Sequence, residues 1–321
     1  MNILFTCACG KKSEELFKVI KKNFREKINI FGCDIKDKKE KTHLKQFFQV
    51  KFSSERSFIS QIYDICKKFK IDYLFASADK EIEVLSKNFN KFKKIKTNIL
   101  VNKVKYSKIF NDKFKTYKAL EKIGVDVPNY KLIKKISDIE MILKKFDYPN
   151  KSVIVKSRQG IGGRGVYLLL GKNKTEHNAY KWFGNYNREK KFYSLNKKIK
   201  KKIFKLNNSI VMQALSSPSY DVDVMKFKNH YMTSIRKRIN PAGIPYRGSK
   251  VINQREIEKT IKKVLQNYNL KFILDFDFMT DSVTKKPLIC EINTRPSGSI
   301  VDSEIQGKKI FTKFLKILLK S

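Results

Sequence analysis

Two stretches near the C-terminus, 272–280 (FILDFDFMT) and 287–294 (PLICEINT), alternate polar and apolar residues, and the turn-forming segment DSVTKK separates them. Alternation with a period of two marks a strand that has one face in a core, so the pair reads as an antiparallel hairpin. A turn centred on Thr284 sets Asp277 opposite Glu291 and Asp275 opposite Asn293, with Phe276, Phe278, Cys290 and Ile292 on the core side. A slip of one residue would bury all four polar groups, which fixes the register. Opposed carboxylates on a half-buried face repel each other unless a cation lies between them. Oxygen donors without imidazole or thiolate suit Mg²⁺ or Mn²⁺ rather than zinc. The structural alternative is a solvent-facing acidic strand face.

The N-terminal third has a different rhythm. Short apolar runs at 2–6, 28–32, 71–77 and 97–101 are separated by amphipathic stretches at 14–24 and 58–69. Strands alternating with helices imply a parallel sheet with right-handed crossovers, a Rossmann-like α/β module over residues 1–104. The segment CACGKKSEE offers only Gly10 where a dinucleotide fingerprint needs three glycines, so Asp34 has the position of a ribose-binding acid but not its company.

Beyond residue 104 the pattern becomes α+β. A helix from Asn111 ends at Gly124, a C-cap residue, and a second helix spans 137–146. Strands at 152–156 and 166–170 flank RQGIGGRG. There Gly160, Gly162, Gly163 and Gly165 form a hairpin tip whose N–H groups can fold over phosphates, with Lys156 at the end of the strand before it. The polar, lysine-rich and aromatic stretch 171–208 reads as a lid insertion. Strands at 210–213, 220–227 and 230–238, a helix at 254–268, the hairpin and a basic amphipathic helix at 310–319 complete the order.

Charge enters because 71 Lys and Arg against 30 Asp and Glu give +41, which invites a polyanion partner. Only ten of the 71 are Arg, whereas base and phosphate readers lean on the planar guanidinium. The excess is spread along the whole chain, so it reads as compositional bias, and the run 196–205 as a solvated lid helix rather than a nucleic-acid contact. Five Cys without a C-x-x-C pair argue against a disulfide framework or a zinc ribbon and for a reducing, cytoplasmic home. No apolar run approaches the roughly 20 residues of a membrane span, and the start MNILFTCACGKK is unlike a signal peptide.

Taken in order, these pieces resemble the ATP-grasp superfamily over nearly the whole chain. NDKFKTYKALEKIGVDVPNY is similar to the stretch that opens the ATP-binding part, and VIVKSRQGIGGRGV to the lysine strand and glycine-rich lid loop. CEINTRPSG is similar to the E-x-N-x-R-x-s-G signature, the most specific of the three because Glu, Asn and Arg alternate on one strand face. The resemblance implies a preATP-grasp module over 1–104 and a two-subdomain ATP-grasp fold over 105–321, with a lid at 126–212 and a metal-binding part at 213–321. It implies that Lys113 and Lys156 contact ATP phosphates beneath the Gly160–Gly165 lid, and that Gln213, Ala214 and Leu215 hold adenine. Asp277, Glu291 and Asn293 then ligate Mg²⁺ or Mn²⁺, and Arg295 steadies the transferred phosphoryl group. Gln213 departs from the family's acidic residue, although its carbonyl can accept the adenine N6–H. Ser219 stands where a ribose-binding Glu is usual, with Asp221 two residues on.

Among Arg236, Arg238 and Arg247, the resemblance favours Arg238 for an acceptor carboxylate, with Ser297 and Gly298 as further substrate contacts. The implied activity is ATP-dependent carboxylate–amine ligation through an acyl phosphate, with ADP and phosphate released. The runners-up are a bicarbonate-phosphorylating enzyme of the carbamoyl-phosphate synthetase or biotin carboxylase kind, and a non-catalytic nucleotide-binding module. The implied partners are small-molecule carboxylate and amine substrates, and a homodimer is compatible with this layout. Nucleic acid and membrane insertion are not implied. The terminal helix is expected to pack on the ATP-grasp sheet rather than on a membrane.

Overall fold

A computed structural model describes residues 1–10, 12–37, 43–159, 165–172, 190–192, 197–204, 209–239 and 248–321. In the first module, β1 (Asn2–Phe5), β2 (Asn29–Asp34), β3 (Gln46–Gln49), β4 (Tyr73–Phe75) and β5 (Asn98–Ile99) form a parallel sheet in the order β3-β2-β1-β4-β5. Four of these strands are the apolar runs read from the sequence. The fifth, β3, is an edge strand (QFFQ) with exposed ends and half-buried aromatics, so it carries no apolar run. Helices Ser13–Phe24 and Phe58–Lys68 bury Phe17, Ile20 and Phe24, and Phe58, Ile62 and Cys66, on the three-to-four residue spacing of one helix face. Asp34 accepts hydrogen bonds from the backbone N–H of Cys9 (2.8 Å) and Lys36 (3.1 Å), so it fastens the loop after β1.

The second sheet joins β6 (Tyr130–Leu132), β7 (Val153–Ser157), β8 (Val166–Leu169), β9 (Lys190–Phe192) and β10 (Ser209–Gln213) in the order β6-β10-β7-β8-β9. Strands β7 and β8 are antiparallel, as expected around the glycine-rich loop. Gly165 closes that loop at φ +75, in the left-handed region that favours glycine. Gly160, Gly162, Gly163 and Arg247, with much of the 171–208 insertion, lie outside the described residues.

The third sheet is antiparallel, with β11 (Ser216–Phe227), β12 (His230–Arg238), β13 (Ser249–Ile252), β14 (Phe272–Thr280) and β15 (Pro287–Asn293) in the order β13-β12-β11-β14-β15. Asp275 faces Asn293 and Asp277 faces Glu291, the register expected from the alternation. The ladder then shifts between Asp277 and Phe278, so that Phe278 faces Ile289 and Cys290 is the extra residue of a bulge. This corrects the assignment of Cys290 to the core side, where Ile289 sits instead, fully buried beside Phe276, Phe278 and Ile292.

The terminal helix, Ile310–Leu319, packs against β11 and β12 as expected, and it also closes the joint with the first module. Phe311 and Phe314 share one cluster with Phe5, Phe17 and Phe75 of the first module and with Met225 and Ile273 of the third sheet. Asn102 reinforces the joint by donating to the Lys271 carbonyl (2.9 Å) and accepting from the Lys271 N–H (2.8 Å).

Candidate active site

Strand register assembles the site. Because β11 lies beside β14, Asp221 pairs with Asp277 and Asp223 with Asp275, which extends the polar face of the hairpin to a third strand. Five carboxylates and one amide thus share a single sheet face, and each needs a partner. Arg236, fully buried, binds Asp223 (Nη2 to Oδ2, 3.0 Å). Arg238 donates from Nε to Asp221 (3.0 Å) and from Nη2 to Asp277 Oδ1 (2.9 Å). Burial works against the charge of Arg238, but Asp221 and Asp277 outweigh it and hold its pKa above the ordinary arginine value.

Asp275 is the exception. At 6% exposure its Oδ2 accepts from Asn293 Nδ2 (3.0 Å), while its Oδ1 is buried without a hydrogen-bond partner. Burial, with Asp277 and Asp223 alongside, pushes its carboxyl well above the usual carboxylate range, and burial raises Asp277 to about 7.

The two lysines approach this face from outside the third sheet. Helix Lys113–Lys122 starts at Asp112, whose carboxylate caps the N–H groups of Phe114 and Lys115 and also receives Arg158 (Nε, 3.0 Å). Lys113 N–H donates to the Arg158 carbonyl (2.9 Å), tying the helix start to the end of β7, and Lys113 Nζ reaches Glu291 Oε1 at 3.2 Å. Lys156, on β7 and 6% exposed, donates to the Tyr117 hydroxyl (2.9 Å), which in turn donates to the Cys290 carbonyl (3.0 Å) in the bulge. Burial lowers the Lys156 pKa below the ordinary lysine value.

The other expected residues are distributed as follows. Both ends of the Gln213 side chain are engaged: Oε1 accepts from Asn129 N–H (2.8 Å) and Nε2 donates to Asp281 (2.7 Å). Ala214 and Leu215 adjoin an apolar seam between the second and third sheets, formed by Ile154, Leu168, Met212 and Leu288. Ser219 is buried and its hydroxyl has no hydrogen-bond partner, whereas Asp221 is committed to Arg238. Ser297 donates to Asp223 (2.8 Å), and Gly298 is exposed. Arg295 turns to the first module, where Asp79 receives Nε (2.9 Å) and Nη2 (3.4 Å), while Nη1 donates to the Pro296 carbonyl (3.1 Å).

Asp79 and the Arg236–Asp223 anchor under the Ser297 loop escaped the sequence reading. Asp79 lies 216 residues from Arg295, and no local pattern joins them. The two aspartates of DVDV in β11 did carry a signal, since their alternation matches that of the hairpin.

The donor set fits a hard divalent cation. Asp277, Glu291 and Asn293 offer oxygen only, and the unpartnered oxygen of Asp275 lies on the same sheet face. Among the described residues no three His, Cys, Asp or Glu side chains form a ready-made metal cluster, so a cation here would complete its shell with phosphate or water oxygens.

Comparison with known proteins places this architecture. Residues 110–299 match the ATP-grasp domain model and residues 3–100 the PylC-like N-terminal domain model, and the chain belongs to the ATP-grasp family. Among solved structures it resembles L-amino acid ligase from Bacillus licheniformis, at 13% identity and a TM-score of 0.68 over 98% of this chain and 74% of that one. Biotin carboxylase from Campylobacter jejuni is similar at 16% identity and 0.67, over 99% of this chain and 70% of that one. N5-carboxyaminoimidazole synthetase from Staphylococcus aureus, complexed with ADP, is similar at 15% and 0.63, over 96% and 77%. Likeness at these identities is a likeness of fold. No curated protein sequence matched the chain. No helix among the described residues is long and apolar enough to cross a membrane.

Proposed function

We propose that the chain is an ATP-dependent carboxylate–amine ligase working through an acyl phosphate, with its lid at 126–212 and its metal-binding part at 213–321. The observation that carries this reading is the convergence of Lys113 on Glu291 and of Arg238 on Asp277, with Lys156 of the β7–β8 hairpin linked through the Tyr117 hydroxyl to the Cys290 carbonyl beside Glu291. Adenine would lie against the seam of Ile154, Met212 and Leu288, held by the backbone of 213–215, because the Gln213 side chain is already spent. Asp277, Glu291 and Asn293 would hold magnesium, which when bound supplies positive charge against the phosphates.

Lys156 and Lys113 supply cations where negative charge develops as the γ-phosphoryl group moves to a substrate carboxylate and ADP leaves. Arg295, positioned by Asp79, adds a third. The amine then attacks the acyl carbon, phosphate departs, the amide forms and the amine releases a proton. Water would hydrolyse the acyl phosphate, so the lid must exclude it.

ADP release by purified protein across a panel of carboxylates and amines tests the reading, with Glu291→Gln as the control. A productive pair should exceed that variant by about 100-fold. If no pair does, the ligase reading fails. If bicarbonate alone does, the bicarbonate-phosphorylating alternative replaces it.

A further inference from the structure

The first sheet reverses its winding beside β1: the chain leaves on one side for β2 and β3, then returns to the other side for β4 and β5. The loops after β1 and β4 therefore part at the carboxyl ends of the strands, which is where open α/β sheets have room for a ligand. A cavity of about 130 Å³ opens there, between those loops and the segment Pro296, Ser297, Gly298 that follows Arg295. Its lining comes from both modules, and Ser297 of that segment also bonds Asp223 on the carboxylate face.

The lining dictates what the cavity can hold. Its floor is Phe5, Phe17, Phe75 and Phe311, with the Phe5 and Phe75 rings stacked 4.9 Å apart and Phe17 and Phe311 packed at their sides. Most polar side chains on its wall are engaged elsewhere: Thr6 Oγ1 and Cys7 Sγ donate to Glu81, Lys12 Nζ pairs with Asp302, and Ser297 Oγ donates to Asp223, while the hydroxyls of Ser13 and Ser77 complete the polar part of the lining. Lys12, the charged side chain of the lining, is already paired with Asp302, so a charged ligand group would leave water for aromatic carbon without a free counter-ion. An apolar group would gain about 25 cal/mol per Å². An engineered apolar cavity of about 150 Å³ holds benzene, so this one suits a group of about three to six carbons.

We propose that this cavity is the side-chain subsite of one substrate, and that this substrate is an amino acid with a compact, uncharged apolar side chain. The assignment rests on the ligase reading for the reaction but on the cavity alone for the side chain. Leu16, half-buried on helix Ser13–Phe24, lines the cavity, so a larger side chain there would fill it.

The test pairs turnover with binding. ADP release is measured with alanine, valine, leucine, glutamate and lysine as amino acids, and saturation-transfer NMR with leucine reports binding without turnover. The apolar members should be preferred over the charged ones by about tenfold or more. Leu16→Trp should raise the KM for leucine by a similar factor, leave the KM for ATP within about twofold and abolish the NMR signal. Leu16→Phe repeats the test with a smaller change should the tryptophan variant not fold. If no pair elicits ADP release yet leucine binds wild type and not Leu16→Trp, the cavity assignment holds while the ligase reading falls. Preference for glutamate or lysine, or unchanged leucine binding in both Leu16 variants, overturns the assignment and leaves the ligase reading standing.

Discussion

Arg236 has no exposed surface, and its guanidinium meets four groups: Asp223 (3.0 Å), Ser299 Oγ (3.0 Å), Ser249 Oγ (3.4 Å) and Asp302 (3.6 Å). Replacing it with methionine keeps the bulk and removes the charge. Asp302 retains Lys12, but Asp223, also fully buried, keeps only the hydroxyls of Ser297 (2.8 Å) and Ser303 (2.6 Å). Leaving one member of a buried pair uncompensated costs about 3–5 kcal/mol, and Arg236→Met is expected to lose that much. Removing the acid as well, in Arg236→Met with Asp223→Leu, should recover about 2 kcal/mol or more, because both charges are then gone. Urea unfolding followed by far-ultraviolet circular dichroism measures both variants. A loss below about 1 kcal/mol for Arg236→Met, or a double variant as unstable as the sum of the singles, would refute the claim that this pair is buried and mutually dependent.

Three further predictions concern the cations. Asp79→Asn should release Arg295 and lower kcat by about tenfold or more with little change in the KM for ATP, and Asp79→Glu should restore part of it; a lower melting temperature with unchanged kcat would make Asp79 only a tether between modules. Burial holds the Lys156 pKa below its unfolded value of about 10.5, so in the alkaline window between the two the unfolded chain binds the extra proton, and stability rises with pH. Lys156→Met should flatten that slope. ATP binding in the same window should take up a proton through Lys156, measured by calorimetry in buffers of different ionisation enthalpy, and proton-neutral binding would remove Lys156 from the phosphate contacts.

Much of this arrangement was legible because alternation and turn length act locally. Asp277 opposite Glu291 follows from a period of two and one short turn, and the helix that ends before Gly124 follows from its local pattern, although its start lies at Lys113 behind an Asp112 cap rather than at Asn111. The bulge at Cys290 was not legible, since one inserted residue leaves the alternation nearly intact on either side. Nor was β3, an edge strand buried too little to leave an apolar run. The Asp79–Arg295 pair and the joint at Phe311 depend on how the two modules dock, which no window of contiguous sequence contains.

The net charge of +41 acquires a different meaning when sorted by residue type. Four of the seven arginines among the described residues lie where an acid is buried: Arg158 on Asp112, Arg236 on Asp223, Arg238 on Asp221, and Arg295 on Asp79. A planar guanidinium can serve two acids in fixed geometry and is less strongly hydrated than an ammonium, so a chain this rich in lysine uses arginine where solvation by water is lost. Among the described residues Lys113 and Lys156 are the buried lysines, and in the proposed function they are the ones that meet the triphosphate. A lysine ammonium can exchange an acid or hydroxyl partner for a phosphate oxygen more readily than a bidentate guanidinium can leave a carboxylate. The division of labour therefore separates cations that hold the sheet face together from those that can change partners as phosphate enters.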